Sequence, residues 1–166
     1  MSKILLDYQS NLEDKILDFW RFWSRKNRYK YSNLSIYTHS IFKSKNLNIN
    51  KEGFRSKINF SEKFNNNQPN IFFIGPSSLF GMPNLSDEET LTSIIERKLI
   101  DQKKNFNIFN FGLIGSIIGT QSNLLLRLLI DQKPDIVVIY NGYNDLMNGY
   151  YNRDCVINSE LDLILK

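Results

Sequence analysis

Three short apolar segments, each followed by small or polar residues, constrain the fold of this chain more than any other feature. They cover residues 71–74, 106–111 and 136–140. Apolar runs of this length, bounded by turn residues, are typical of strands buried on both faces of a parallel sheet. The first run leads directly into a Gly-Pro-Ser-Ser sequence at 75–78. We therefore expect Ser77 at the carboxyl end of a core strand, the edge where open α/β sheets bind ligands.

Two amphipathic segments connect these strands. The first begins at a capping-box sequence, residues 86–89, and predicts a helix that ends near Ile100. The second predicts a helix over about 120–131 that Pro134 stops. Its inward-facing residues are predicted to be Leu124, Leu125, Leu128 and Leu129. Alternating strands and helices indicate right-handed crossovers and a parallel sheet.

The N-terminal part of the chain differs in character from this core. We predict two units, residues 1–69 and a core over 70–166. The first unit is predicted to contain a helix from about 11 to 25, capped near Ser10. A polar extended segment with short edge strands at 48–50 and 57–60 is expected to follow it. Cations alternate with aromatic residues between Arg21 and Tyr31, which suits a nucleic-acid or anionic-membrane surface. Cations also favour a helix C-terminus, and aromatic residues pack onto domains. We expect this second explanation, and hence no nucleic-acid partner.

The third strand leaves little chain behind it. After Tyr140 only 166 − 140 = 26 residues remain, whereas a further strand–helix–strand unit needs about 30 or more. We therefore expect an α/β fold that is truncated after its third core strand. Such a strand offers a long apolar edge, so self-association through it is also expected.

The residues that follow the three strands suit acyl transfer. Ser77 follows the first strand, Gly115 the second and Asn144 the third. If the strand order is 2-1-3, the connections diverge between strands one and three and leave a crevice there. A hydroxyl could then attack a carbonyl, with the developing oxyanion held by the N–H groups of Ser77 and Gly115 and by the amide of Asn144. Glycine suits this position because, without a Cβ, its backbone can approach closely.

Three segments at these strand ends resemble the first three sequence blocks of the SGNH/GDSL hydrolases. They are Gly75-Pro76-Ser77, Asn110-x-Gly112-x-x-Gly115 and Gly142-x-Asn144-Asp145. The flanks at 50–55, 89–90 and 134–138 resemble one branch of that family. The resemblance implies a flavodoxin-like three-layer αβα fold with a parallel sheet, and hydrolysis of ester bonds. It also implies that Ser77 is the nucleophile and that Gly115 and Asn144 complete the oxyanion hole.

The chain departs from the family pattern at two places. Pro76 stands where Asp or Gly is usual, but it leaves the Ser77 N–H intact. The fourth block, an Asp-x-x-His that supplies the base, has no counterpart, because the single histidine is His39. We expect His39 to be a surface or loop residue, so Ser77 lacks an evident base and the chain should hydrolyse esters weakly. Of the other polar side chains, Ser78 is expected to serve the loop or helix start and Asp145 to cap the loop after strand three.

Three functions stay open on these residues. The first is an ester hydrolase that acts on small-molecule, carbohydrate or lipid esters, and the second is a degenerate hydrolase fold that binds without catalysis. The third is a flavodoxin-like nucleotide or flavin binder. It is disfavoured because phosphate sites prefer a helix N-terminus directly after the loop, and the next helix is expected only near Ser86.

We expect no cofactor, and the single cysteine, Cys155, excludes an internal disulfide and multi-cysteine metal sites. Because no apolar run reaches 18 residues and the N-terminus is unlike a secretory signal, we expect no transmembrane segment and a cytoplasmic protein.

Overall fold

The computed structural model describes residues 3–31, 37–64 and 67–151. The helices are α1 (Lys3–Trp23), α2 (Phe60–Lys63), α3 (Ser77–Phe80), α4 (Leu91–Asp101), α5 (Ile118–Leu124) and α6 (Tyr143–Tyr151). The strands are β1 (Tyr29–Tyr31), β2 (Tyr37–His39), β3 (Asn70–Gly75), β4 (Asn107–Gly112) and β5 (Ile136–Ile139). Within these ranges, no helix is both long enough and apolar enough to cross a lipid bilayer. Cys155 lies outside the described residues.

A three-stranded parallel sheet, with β3 at its centre, carries the fold. The strands lie in the order β4-β3-β5, whereas β1 and β2 form a separate antiparallel hairpin. Counted along the core, this is the order 2-1-3. The predicted α/β fold with a parallel sheet is therefore confirmed, and the connections from β3 and β4 run in opposite directions across the sheet.

The side chains of β3 alternate between two cores because every residue of this strand is buried. Ile71 and Phe73 belong to a core that residues of α4 close. Phe72 and Ile74 belong to the opposite core, which leucines of α5 and of the segment after it close. Helices thus cover both faces of the sheet, in the three-layer arrangement that was expected.

Polar groups fix the register at the amino ends of the strands. Asn70 pairs with Asn107 across β3 and β4, and the Asn107 amide donates to Asn70 Oδ1 at 3.0 Å. The Asn70 N–H donates to Asp135 Oδ2 at 2.7 Å, just before β5. At the other end of the same ladder Gly75 pairs with Gly112. The six residues of β3 and of β4 therefore lie between two fixed points.

The helix after β4 is less regular than predicted. Beyond α5 the chain continues as a π-helical segment, Leu125–Leu129, and a 3₁₀ turn, Ile130–Gln132. Leu124 and Leu129 are buried, but Leu128 is 41% exposed, so its predicted inward orientation is wrong. A π turn takes more residues than an α turn, and side chains beyond it rotate away from the spacing of 3.6 residues.

Two predicted helix starts are also wrong. α1 is already helical from Lys3, so Ser10 lies within the helix and does not cap it. α4 is capped by Thr90, whose hydroxyl accepts from the Ser93 N–H, rather than by Ser86. A 3₁₀ turn, Asp87–Glu89, precedes it because the Asp87 carboxylate binds groups distant in the sequence. The predicted strand at 57–60 also differs, since Phe60 begins α2.

The N-terminal elements pack against the α/β core. Phe22 of α1 is fully buried and stacks on Phe80 of α3, with ring centroids 5.8 Å apart. Tyr37 of β2 joins the core formed by Phe72 and Ile74. The division into units 1–69 and 70–166 stays a prediction, but α1 clearly lies beside the helix that begins at Ser77.

β5 is one of the two edge strands of the parallel sheet in the described part of the chain. The side chains of Ile136 and Ile139 are 47% and 52% exposed. This exposure is greater than expected, because a strand that is apolar on both faces is typically buried on both. Edge strands of this kind can pair with other chains. The expected self-association through this strand stays a prediction.

Candidate active site

Ser77 is the first residue of α3, immediately beyond the carboxyl end of β3. The expectation that no helix directly follows this loop is wrong, although α3 is only four residues long. Ser77 is partly exposed and Ser78 is exposed. The Ser77 carbonyl accepts hydrogen bonds from the N–H groups of Gly81 and Met82 at 3.0 and 2.9 Å. In the described part of the chain, the Ser77 hydroxyl has no hydrogen-bond partner.

Gly112 allows α3 to lie directly on the end of β4. A Cβ at this position would lie 2.2 Å from the backbone nitrogen of Phe80 and 2.6 Å from its Cα. Asn110 holds the same helix, because its amide donates to Leu79 O at 3.0 Å while its Oδ1 accepts from the Gly112 N–H. The position of Ser77 therefore depends on the close approach of two backbones.

We expect Gly112→Ala to lower the free energy of unfolding by about 1–3 kcal/mol, since the added methyl forces α3 away from β4. Chemical denaturation measures the effect. Gly119→Ala is the matched control, because the residue is helical and its added Cβ would meet no described atom within 4 Å apart from its chain neighbours and the backbone of its own helix. That control should gain up to about 1 kcal/mol. Equal effects of the two substitutions would contradict the close approach.

Arg55 and Asp87 form a buried ion pair behind α3. Arg55 Nε donates to Asp87 Oδ1 at 2.9 Å, and its Nη1 donates to the carbonyl of Gly81 at 2.9 Å. The Arg55 side chain is fully buried, and this burial lowers its pKa, against the opposing effect of Asp87. Asp87 Oδ2 also accepts from the side-chain amide of Asn48 at 2.8 Å. The pair thus links residues 48, 55 and 87 to the end of the Ser77 helix.

Gly115 lies in the loop after β4 and adopts a left-handed backbone conformation, with φ +83°. Its neighbour Ser116 is fully buried and donates from Oγ to the Gly75 carbonyl at 3.1 Å. Gln121 donates to the same hydroxyl at 3.1 Å, and Asn141 donates to Gln121 Oε1 at 3.3 Å. Hydrogen bonds therefore connect the loops that follow all three strands of the parallel sheet.

Asn144 lies in the first turn of α6, after β5. Its amide donates to the Ser116 carbonyl at 2.8 Å, which ties it to the residue next to Gly115. Asp145 Oδ1 accepts from the Ile118 N–H at 3.0 Å, so it caps the start of α5 and not the loop after β5. Asp145 Oδ2 is buried and has no partner in the described part of the chain.

The three predicted site residues thus follow the three strand ends at one edge of the sheet. Asn144 and the Gly115 loop are joined by a direct hydrogen bond, and the Gly115 loop is joined to Gly75, two residues before Ser77. The catalytic roles of Ser77, Gly115 and Asn144 stay predictions. Among the described residues, no group of three or more His, Cys, Asp and Glu side chains is arranged to hold a metal ion.

His39 is not the surface or loop residue that was expected. It lies on β2, is 1% exposed, and packs against Phe80 with ring centroids 4.7 Å apart. Nδ1 lies 3.2 Å from the Gly53 carbonyl, and Nε2 accepts from the Ile114 N–H at 3.5 Å. Burial lowers the pKa of His39 to about 4. Both ring nitrogens are therefore engaged with the backbone, and neither contacts Ser77.

The sequence signals for these supporting residues differ in strength. Arg55 lies in the flank at 50–55 that resembles the hydrolases, and Asp87 lies in the expected capping box at 86–89. Neither pattern predicts that the two residues form an ion pair. Nothing in the local sequence marks Ser116 or Gln121, because their partners lie in other loops. The pairing of His39 with Ile114 likewise joins residues 75 positions apart.

Comparisons with known proteins give similarity in structure only. No protein-family model matches the chain, and no curated protein matches it. Among solved structures, the chain is similar to AlinE4, a SGNH-hydrolase family esterase, at 24% identity and a TM-score of 0.45, over 49% of this chain and 44% of that one. It is also similar to the lipase/acylhydrolase from Enterococcus faecalis, at 22% identity and a TM-score of 0.42, over 47% and 40% of the two chains. The chain therefore spans less than half the length of these proteins.

Proposed function

We propose that this fold serves ester hydrolysis, with the Ser77 hydroxyl as the nucleophile. One observation carries the proposal: a chain of hydrogen bonds, from Asn144 through Ser116 to Gly75, links the loops after the three parallel strands. Open α/β sheets bind ligands at this edge, where the strand connections diverge. Substrates of the class would be small-molecule, carbohydrate or lipid esters.

The groups proposed for the oxyanion hole are available for it. Neither the N–H of Ser77 nor that of Gly115 has an acceptor among the described residues. Asn144 has two amide N–H groups, and the Ser116 carbonyl takes one of them. These donors would bind the oxygen of the tetrahedral intermediate after Ser77 Oγ adds to the ester carbonyl. In comparable sites, loss of one such donor costs about 10²–10³ in rate.

The hydrogen bonds of His39 to the backbone lower the rate of ester hydrolysis that we expect. A serine hydroxyl is a weak nucleophile unless an adjacent base takes its proton. His39 is the only histidine of the sequence, and both of its nitrogens face backbone groups of Gly53 and Ile114. This observation also favours the second candidate function, a degenerate hydrolase fold that binds ligands without catalysis.

We expect a serine-directed fluorophosphonate to label the protein slowly at Ser77, and Ser77→Ala to abolish the labelling. Intact-mass spectrometry with peptide mapping measures it. Ser78→Ala is the matched control, since Ser78 is the adjacent and more exposed hydroxyl. Undiminished labelling of Ser77→Ala would remove Ser77 from the proposal. No labelling of the wild type would favour the non-catalytic function.

Comparing the wild type with Ser77→Ala also tests whether Ser77 reacts slowly because it lacks a base. Imidazole added to an assay with a 4-nitrophenyl ester can accept the Ser77 proton from solution. We expect it to raise the rate of the wild type above that of Ser77→Ala, which reports the background reaction of imidazole itself. Equal rates at every imidazole concentration would count against Ser77 as a nucleophile.

A further inference from the structure

A cavity of about 680 Å³ lies between the end of α1, the β1–β2 hairpin and the loop that carries Gly115. Its size falls within the range of small-ligand sites. Gly115 lines it directly, and its backbone is exposed there. Tyr37 forms part of the wall and donates from its hydroxyl to the Ile114 carbonyl at 2.7 Å. The cavity therefore opens beside the backbone that the proposed function uses for the oxyanion.

All charged side chains that line this cavity are positive. Arg25, Lys26 and Arg28 line it, and no acidic residue does. In the described part of the chain, none of the three cations forms an ion pair. Their charges are consequently available to an anionic ligand.

Aromatic rings and carbonyl groups hold the arginines in place. The Arg28 guanidinium lies 4.5 Å from the ring centroid of Trp23, and its Nη1 donates to the Trp23 carbonyl at 2.8 Å. Arg25 donates to the Ile41 carbonyl at 2.9 Å. A guanidinium carries five N–H donors, so Arg28 keeps donors for an anion. Rings and carbonyls orient these cations without neutralising them.

The shape of the site indicates a small ligand. Phe22, which the sequence pattern grouped with the neighbouring cations, is fully buried in the core and presents no surface. Tyr31 remains 56% exposed and offers a flat face beside the cations. A cavity lined by a few cations fits a single anionic group better than the extended backbone of a nucleic acid, which needs a groove along the strand.

We propose that this cavity binds the carboxylate or phosphate of an acidic ester, and that it selects such esters as substrates. The anionic group would lie against Arg28 and Lys26 while the ester carbonyl reaches the Gly115 loop. Selection of substrates rests on the proposed function at Ser77, whereas binding of the anion does not. Charge-assisted hydrogen bonds to guanidinium groups are short and strong, which suits them to fix the orientation of a substrate.

The test is a titration of ¹⁵N-labelled protein with inorganic phosphate and with acetate at low ionic strength, where screening is weak. We expect saturable shifts of the Gly115 and Arg28 amide signals. Arg28→Gln should weaken binding about tenfold or more, the loss expected for one hydrogen bond to a charged group. Lys26→Gln gives a second reading, because Lys26 makes no hydrogen bond within the described residues and its loss should leave the fold intact. Arg97→Gln, on α4 and outside the cavity, is the control and should leave binding unchanged.

Failure of this proposal is distinct from failure of the esterase function. Shifts that do not saturate, or that persist unchanged in Arg28→Gln and Lys26→Gln, would overturn the anion site. Ser77→Ala should bind phosphate as the wild type does. If phosphate binds but the fluorophosphonate does not label Ser77, the anion site stands and the esterase function fails. If Ser77 is labelled equally fast by an anionic and a neutral phosphonate, the selection of acidic esters is wrong.

Discussion

Replacement of Asp87 by alanine should lower the free energy of unfolding by about 3–5 kcal/mol, because it leaves the Arg55 guanidinium buried without a counterion. The Arg55 side chain has no solvent exposure, and Asp87 is its ion-pair partner at 2.9 Å. The same substitution removes the acceptor of the Asn48 amide. Urea denaturation, monitored by tryptophan fluorescence, measures the loss.

Glu88→Ala is the matched control for this prediction. Glu88 adjoins Asp87 and forms an ion pair with Lys57, but both side chains are at least half exposed. Exposed pairs contribute at most about 1 kcal/mol. The double variant Arg55→Met with Asp87→Leu should lose less than the sum of the single losses, since no charge is then left buried. Equal losses for Asp87→Ala and Glu88→Ala would contradict a buried ion pair.

The stability of the protein should fall as the pH is lowered from about 6.5 to about 4, and His39 should account for much of the fall. Burial lowers the pKa of His39 from 6.5 to about 4 in the folded chain. Between these values the unfolded chain binds a proton and the folded chain does not, so acid favours unfolding. At about 1.4 kcal/mol per pH unit, the difference amounts to about 3 kcal/mol.

His39→Gln isolates this contribution. Glutamine keeps a donor and an acceptor for Gly53 and Ile114 but does not titrate, so its unfolding free energy should depend less steeply on pH across the same interval. Denaturation curves of both proteins between pH 4 and pH 6.5 give the two slopes. Arg28, the neighbouring charge that also lowers the pKa of His39, is retained in both proteins. Parallel slopes would show that His39 titrates normally in the folded chain.

The parallel sheet could be predicted from the sequence because its strands are marked locally. Residues 71–74, 106–111 and 136–140 are apolar, short and bounded by turn residues, and each became a strand within two residues of its expected ends. The alternation of strands and helices leaves few topologies, and the order 2-1-3, which was considered only as a condition, is the one that the sheet adopts. The helix starts could not be predicted in this way. Ser10 and Ser86 both begin capping-box sequences, but Ser10 lies within α1 and Ser86 precedes a 3₁₀ turn.

The support of the candidate site could not be predicted in the same way. Arg55 pairs with Asp87 across 32 positions of the chain, and His39 contacts Ile114 across 75, and a sequence pattern does not report such contacts. The histidine shows this most clearly. Its neighbours in the sequence are polar, yet the aromatic rings of Phe22, Tyr29 and Phe80 enclose it. Ser77, Gly115 and Asn144 were identified by residue type and spacing, and their roles await experiment.

The fixed points at the two ends of β3 and β4 determine where this chain can change in length. Asn70 and Asn107 hold one end of the ladder, and the Gly75–Gly112 pair, pressed against α3, holds the other. One residue inserted between them would turn each following side chain to the opposite face and separate one of the two pairs. Insertions are therefore confined to the loops beyond these pairs. Evolution can reshape the rim of the site, while the strands that present it keep their length.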